Sequence, residues 1–471
     1  MKRHLTALTT WILACTATVQ ANSTIYDSCY PQEAAALARV TDIAFPADTV
    51  CITRYGAIGD GQTLVTRALQ QAIDDAARKG GGVVSVPQGV WLTGPIRLKS
   101  NVCLTLDDCA ILQFSPDKTL YVDSTRAKAS RVRPCISADK QRNIGITGNG
   151  IIDGNGQQWR PVKRSKVSDV EWKQYHELGG IERQQGTLWY PWQMKAGYAD
   201  IADTPERQES MRNDLVRFEQ CTGILLRGVT FQNSPRFHVH PCYSENIIID
   251  GITVRSEWNV QNGDGIDLSD CHRALITRCT VSVGDDGICM KSGLPRDGRI
   301  SGCEDILIAD NTVNHAHGGF VIGSEDAGGM RRITVVRCRF SGTDVGLRFK
   351  SALGRGGLTE QIRISDCVMN DISGEAIAFQ CDYVNRHAGA DTKEPVYTDE
   401  ERQWAPRFRD IRISRITVGG CKTGIRAAGL PGIDCISDIV IEHSNIVCRS
   451  KKTDIDEATA KLTLNNVNLI K

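Results

Sequence analysis

Four turns in the middle of the chain collect the residue types that acid–base chemistry needs. They read Asn262-Gly263-Asp264-Gly265-Ile266-Asp267, Gly284-Asp285-Asp286-Gly287-Ile288, His315-Ala316-His317-Gly318-Gly319-Phe320 and Gly346-Leu347-Arg348-Phe349-Lys350. Aligned on Gly265, Gly287, Gly319 and Gly346, Asp264 and Asp286 fall one position before the glycine. Asp285 and His317 fall two before, Asp267 and Arg348 two after, and Lys291 and Lys350 four after. Alternate residues of a strand share a face, so Arg348 and Lys350 point the same way. If the copies stack, three carboxylates, an imidazole and two cations meet on one wall. Carboxylates that close cannot all ionise easily, so at least one has a raised pKa. A protonated carboxyl can donate to a leaving oxygen while an ionised neighbour activates water. His317 can hydrogen-bond the acid, and the two cations suit a carboxylate on the bound molecule. An Asp beside Gly is also a common turn residue. What argues for a site is registration across four successive copies. Asp267 and Lys291 fit a structural role as readily as a binding one.

The elements that position these turns show as a repeat. Leu225–Phe231, Ile248–Val254, Ile276–Ser282, Ile308–Asn314, Val335–Ser341, Ile364–Asn370, Ile413–Gly419 and a weaker Ile441–Val447 align, starting 23, 28, 32, 27, 29, 49 and 28 residues apart. Apolar and polar residues alternate within each copy, which is strand periodicity. The fourth position holds Gly228, Gly251, Cys279, Asn311, Cys338, Cys367, Ile416 and Ser444, nearly all small, as a tight stacked corner requires. One strand per coil without intervening helices predicts an all-β fold, a right-handed, single-stranded parallel β-helix. An open solenoid end needs a cap. Thr63–Lys79, with Val65, Ala68, Leu69, Ala72, Ile73 and Ala76 on one stripe, is the expected N-terminal capping helix.

The 471 residues carry a formal charge of +1, so no bulk charge points to nucleic acid and any electrostatic recognition is local. Residues 1–21 read as a signal peptide: Lys2 and Arg3, a short apolar stretch from Leu5 to Ala14, and Val19-Gln20-Ala21 as a cleavage site. Ile12-Leu13-Ala14-Cys15 also resembles a bacterial lipobox, which would anchor the protein through Cys15. Secretion or a periplasmic location is expected, with no transmembrane helix. Residues 22–471 are expected to form one catalytic β-helix domain and to act as a monomer. Insertions interrupt it at about 157–211, with Trp159, Trp172, Trp189 and Trp192, and at about 385–407, with Tyr397 and Trp404. Ser168 and Glu171 form a capping-box pattern. Most of the eighteen cysteines are expected to be small buried residues of the stack, with one or two disulfides left open.

At the four turns the chain resembles glycoside hydrolase family 28, the polygalacturonases and related pectin hydrolases. Their signatures Asn-Thr-Asp, Asp-Asp, Gly-His-Gly and Arg-Ile-Lys appear as Asn262-Gly263-Asp264, Asp285-Asp286, Ala316-His317-Gly318 and Arg348-Phe349-Lys350. Asn233-Ser234-Pro235 with His240-Pro241, and Tyr55-Gly56-Ala57-Ile58-Gly59-Asp60-Gly61, resemble further family segments. The resemblance spans roughly Ile52 to Leu469. It implies an inverting, metal-free hydrolase without a cofactor. Asp285 would be the general acid, Asp264 with Asp286 would activate water, and His317 would support the acid. Arg348 and Lys350 would hold a galacturonate carboxylate, and Asn262 would shape the cleft. Gly263, Ala316 and Phe349 depart from the family pattern without removing a charge.

The implied substrate is an acidic plant cell-wall polysaccharide: pectin, polygalacturonate or rhamnogalacturonan fragments. Retention of His317, Arg348 and Lys350 favours cleavage of α-1,4-galacturonosyl linkages. The Trp-rich insertion, as a wall across the cleft, favours exo action. The alternatives are a rhamnogalacturonan hydrolase or galacturonohydrolase, a Ca²⁺-dependent pectate lyase, and a non-catalytic polysaccharide-binding β-helix.

Overall fold

Alternating apolar residues wind the chain into a right-handed parallel β-helix of three faces. The computed structural model describes residues 25–122, 132–191, 211–296, 298–383 and 398–471. The expected signal segment, Cys15, Trp192 and Tyr397 lie outside them. Among the described residues no helix is long and apolar enough to cross a membrane.

One face carries all four turns. Ile96, Ile136, Val216, Val239, Ile266, Ile288, Phe320, Leu347 and Ile377 pair in register from coil to coil, with their side chains buried. The next inward column includes Phe349 and Phe379, which stack with centroids 4.4 Å apart. Each such burial stabilises by roughly 1.5–3 kcal/mol. The residues between these two columns point outward. There Asp267, Cys289, Val321 and Arg348 line up across four coils. A stiff core thus holds an outward row, with Asp267 at one end and Arg348 at the other, at strand spacing.

The corner differs from the expected one by a residue. Gly228 and Gly251 do not stack on Cys279. They stand in register with Arg278, Asp310, Arg337, Asp366, Arg415 and His443. All eight residues have positive φ, between 49° and 78°. Glycine fits that conformation without strain. The later coils adopt it with polar residues, and Arg278–Asp250, Arg337–Asp310 and Arg415–Asp366 ion pairs link neighbouring coils there. The following column is the buried one: Val229, Ile252, Cys279, Asn311, Cys338, Cys367, Ile416 and Ser444. Asn311 accepts from the Cys279 N–H and donates to the Ile276 carbonyl, each at 2.9 Å. Every described cysteine is a free thiol. Cys279, Cys338 and Cys367 are small residues of the stack and donate to carbonyls of their own coils.

The capping helix is Thr66–Arg78, with Leu69, Ala72, Ile73 and Ala76 buried; Thr63 and Leu64 belong to the preceding strand Asp60–Leu64. Residues Cys29, Ala34, Leu37 and Val40 cover an outward apolar row of Leu225, Ile248, Leu275 and Leu307. The described part of the first insertion folds as a three-stranded antiparallel sheet of Val162–Lys163, Leu188–Tyr190 and Ile181–Arg183, with the helix Asp169–Glu177 capped reciprocally by Ser168 and Glu171. Trp172, Tyr175 and Trp189 pack with Val162 and Val167 in its own small core. Trp159 is buried edge-on against Tyr121. These tryptophans hold the insertion together.

Candidate active site

The alignment glycines are dictated by close approach between coils. A Cβ on Gly265 would meet the Gly287 carbonyl oxygen at 2.5 Å, and one on Gly346 would meet the Met369 sulfur at 2.4 Å. Glycine lets each turn lie flat on the next, so the carboxylates before it are brought together. Asn262, at φ 51°, turns its N–H onto Asp285 Oδ2 at 2.9 Å. The Asp286 N–H donates to Asp285 Oδ1 at 3.1 Å.

The structure gathers Asn262, Asp264, Asp285, Asp286, Lys291, His317 and Lys350 along one cleft of about 530 Å³. Lys350 Nζ lies 2.6 Å from Asp286 Oδ2, and both side chains are buried. Lys291 Nζ lies 3.2 Å from Asp264 and 3.4 Å from Asp267. It also contacts the Cys289 sulfur at 3.3 Å. An ammonium thus sits among three groups that would otherwise suit a metal ion. Asp267 is fully buried beneath the cleft, so the structure favours the structural of its two readings, as a counter-ion to Lys291. His317 Nδ1 stands 3.7 Å from Asp285, and its Nε2 stands 3.9 Å from Asp344. Arg348 lies over the Tyr383 ring at 5.3 Å, and Lys350 at 5.2 Å. The buried Arg348 Nε and Nη1 have no hydrogen-bond partner among the described residues.

The charges sort unevenly over the carboxylates. Burial, and then the Asp267 charge, push the Asp264 pKa well up, against the opposing pull of Lys291. Burial also raises Asp267. Burial acts on Asp285 too, but the neighbouring His317, 3.7 Å away, and the Asn262 N–H outweigh it and hold Asp285 below the usual range. Asp286 is likewise lowered: burial and the Asp285 charge push it up, but Lys350, with Lys291 and Arg348, outweighs them together. The raised carboxyl expected from crowding is therefore Asp264. Asp285, which the family resemblance casts as the acid, is held ionised in the free protein.

Several contributors come from outside the four turns. Ser234 organises the turn before His238 by accepting from the Leu215 N–H and donating to the Phe237 carbonyl. His238 Nδ1 then donates to the Asp264 carbonyl at 2.9 Å. Burial lowers the His238 pKa to about 4, so this ring is neutral. Asn233-Ser234-Pro235 and His240-Pro241 were the sequence signal for this support. His240 bridges Asp214 and Ser269, each at 2.8 Å. The order Ser269–His240–Asp214 looks like a nucleophile triad. However, burial, which lowers the His240 pKa, is outweighed by Cys242 and Asp214, which push it up to about 10. A ring that stays charged donates to Ser269 and cannot take its proton. Tyr383, Lys163 and Lys166 also line the cleft and had no signal in the repeat.

A parallel β-helix bearing clustered carboxylates beside buried cations defines a polysaccharide-cleaving enzyme. The comparisons agree. Residues 184–400 match the model described as glycosyl hydrolases family 28, and residues 49–275 match one described as rhamnogalacturonase A/epimerase, pectate lyase-like. The structure of a hyperthermoactive exopolygalacturonase from Thermotoga maritima is 30% identical with a TM-score of 0.73, over 92% of this chain and 94% of that one. The family 28 exopolygalacturonase of Yersinia enterocolitica shares the fold at 20% identity and a TM-score of 0.61, over 90% of this chain and 78% of that one. The exo-poly-alpha-D-galacturonosidase of Dickeya chrysanthemi is 28% identical over 380 residues, which is 78% of this chain and 61% of that protein. The present chain thus spans less than two thirds of that relative's length. The chain belongs to glycoside hydrolase family 28 and is a glycoside hydrolase.

Proposed function

We propose that this protein is an exo-acting polygalacturonase that cleaves α-1,4-galacturonosyl linkages with inversion. The observation that carries the reading is the cleft itself: Asp264, Asp285 and Asp286 line it together with Lys350, a buried cation suited to a uronate carboxylate, and Arg348 lies buried close enough to act on Asp286. Asp285 protonates the glycosidic oxygen as the C1–O bond breaks. A water attacks C1 from the opposite face and gives its proton to Asp286. Asp286, kept ionised by Lys350, is the stronger base, while Asp264 orients the water. His317 holds Asp285 in place.

In the free protein Asp285 is held ionised, so the acid must acquire its proton as substrate binds. A uronate docking on Lys350 and Arg348 adds negative charge and excludes water, and both effects raise a neighbouring carboxyl. The exo reading rests on the insertion, whose Lys163 and Lys166 line the cleft. The N-terminal pattern of residues 1–21 supports action outside the cytoplasm, by free secretion or through a lipid at Cys15.

The test is chromatography of products from polygalacturonate, with and without chelator. Saturated monogalacturonate as the early product is expected, unchanged by chelator. A ladder of saturated oligomers would refute exo action, and unsaturated ends would refute hydrolysis. Rhamnogalacturonan fragments cut in preference to polygalacturonate would refute the substrate assignment.

A further inference from the structure

Lys163 and Lys166 reach the cleft from the insertion, outside the repeat and outside the four family motifs. Lys166 closes the turn Arg164–Lys166 and precedes Val167, which is buried in the insertion's own core. Its ammonium donates to the Gly284 carbonyl at 3.0 Å and the Val260 carbonyl at 3.4 Å. Gly284 directly precedes Asp285, and Val260 opens the turn that carries Asn262 and Asp264. The insertion is fastened over this joint by the Arg160–Glu257 ion pair, by Arg160 donating to the Ser234 carbonyl at 3.1 Å, and by Asn259 donating to the Tyr175 hydroxyl at 3.3 Å.

Two carbonyls occupy two of the three ammonium hydrogens and neutralise no charge. Among the described residues no carboxylate pairs with Lys166 or Lys163. The two lysines lie near enough to repel each other, and Asp285 is the first group that counters the effect of burial on Lys166. The second cationic pole, Arg348 with Lys350, comes from the coil two beyond Asp286. Along the helix axis Lys166 therefore stands level with the coils of Asp264 and Asp285, and Arg348 with Lys350 stand on the far side of Asp285 and Asp286.

We infer that Lys166, with Lys163 beside it, receives the carboxylate of the terminal galacturonate, across the scissile bond from the sugar held by Arg348 and Lys350. The enzyme then requires a free uronate on both sides of the bond it cuts. This rests on the polygalacturonase reading above. It makes Lys166 a specificity-determining residue that ties the insertion to the identity of the released sugar.

The test uses trigalacturonates carrying a methyl ester on one unit at a time, with the full-length wild type and the variants Lys166→Met, Lys166→Arg and Lys163→Met. A charge-assisted hydrogen bond lost from a desolvated site corresponds to about 10- to 100-fold in kcat/KM. Wild type is expected to lose that factor when the released unit is esterified. In Lys166→Met the free trimer should fall by a similar factor, and the ester penalty should shrink to about threefold or less, because the two changes remove one interaction. Lys166→Arg should restore most of the discrimination. If Lys166 only fastens the insertion, Lys166→Met will lose rate on free and esterified trimers alike with the penalty intact, and that overturns the inference. Lys163 is exposed, so Lys163→Met keeps the test alive should Lys166→Met unfold the insertion; an unchanged ester penalty there, with Lys166→Met unfolded, also overturns it. Failure of wild type to cut the free trimer would instead sink the polygalacturonase reading, and this inference with it.

Discussion

Lys350→Met separates a substrate contact from a part of the catalytic charge network. Lys350 Nζ and Asp286 Oδ2 are 2.6 Å apart and both are buried. At an effective dielectric constant of about 20, their gross attraction is on the order of 6 kcal/mol. Desolvation offsets part of this, but breaking such a pair on one side costs about 3–5 kcal/mol, because the other charge stays buried. The variant can limit that cost only by protonating Asp286. The sign follows. With Lys350 present the folded Asp286 pKa is depressed, so its stabilisation is present above the unfolded value and lost as pH falls through the folded one. Without Lys350, burial and the Asp285 charge raise it. The deficit in Tm against wild type should therefore be large at pH 7 and fade as pH drops below about 4. The same protonation removes the base, so kcat on polygalacturonate should fall together with any rise in KM and recover partly at higher pH. Calorimetry across this pH range and steady-state kinetics read both effects. A pH-independent Tm deficit, or a raised KM at unchanged kcat, would show that Lys350 serves only as a substrate contact.

Three further outcomes are expected. Asp285→Asn should lower kcat by about 10²–10⁴-fold with unchanged far-ultraviolet circular dichroism, and near-wild-type turnover would remove Asp285 from the chemistry. Asp264→Asn should be inactive yet no less stable than wild type at pH 7. Folding raises the Asp264 pKa, so this group's contribution is full at low pH and lost as pH rises; a Tm penalty larger at pH 7 than at pH 4 would contradict that sign. Asn311→Leu should cost about 2–4 kcal/mol in denaturant unfolding, because it leaves a buried N–H and a buried carbonyl unpaired, while kcat stays at the wild-type level.

The coil period was legible because parallel stacking forces like residues into like positions, and the four turns were legible because their glycines cannot be replaced. The misplaced corner shows where that reading stops. Gly228 and Gly251 looked like the small residues of the buried column, since a glycine signals both smallness and positive φ. Arg278 and Asp310 take the same backbone conformation with no compositional trace of it. Tyr383, Lys163 and Lys166 were illegible for another reason: they lie outside the repeat, and only the docking of non-repeating segments brings them to the cleft. The protonation pattern was half legible. Crowded carboxylates implied one raised pKa, but which one depends on Lys291, His317 and Lys350, which arrive from different coils.

That pattern suggests why so many charges are placed in one cleft. Asp264 and Asp267 share Lys291, Asp286 is matched by Lys350, and Asp285 leans on His317. Arg348 alone among the motif cations keeps buried nitrogens without a partner among the described residues. On the proposed reading an incoming uronate docks at Lys350, which lines the cleft, with the buried Arg348 behind it. It weakens the hold of Lys350 on the aspartates and drives water from Asp285, so the acid gains affinity for its proton as the substrate arrives. A neutral sugar in the same place would bring no charge to Lys350 and would leave Asp285 ionised. Selectivity for the acidic polymer and protonation of the catalytic acid are on this reading one event, and esterifying the substrate should impair kcat as well as KM.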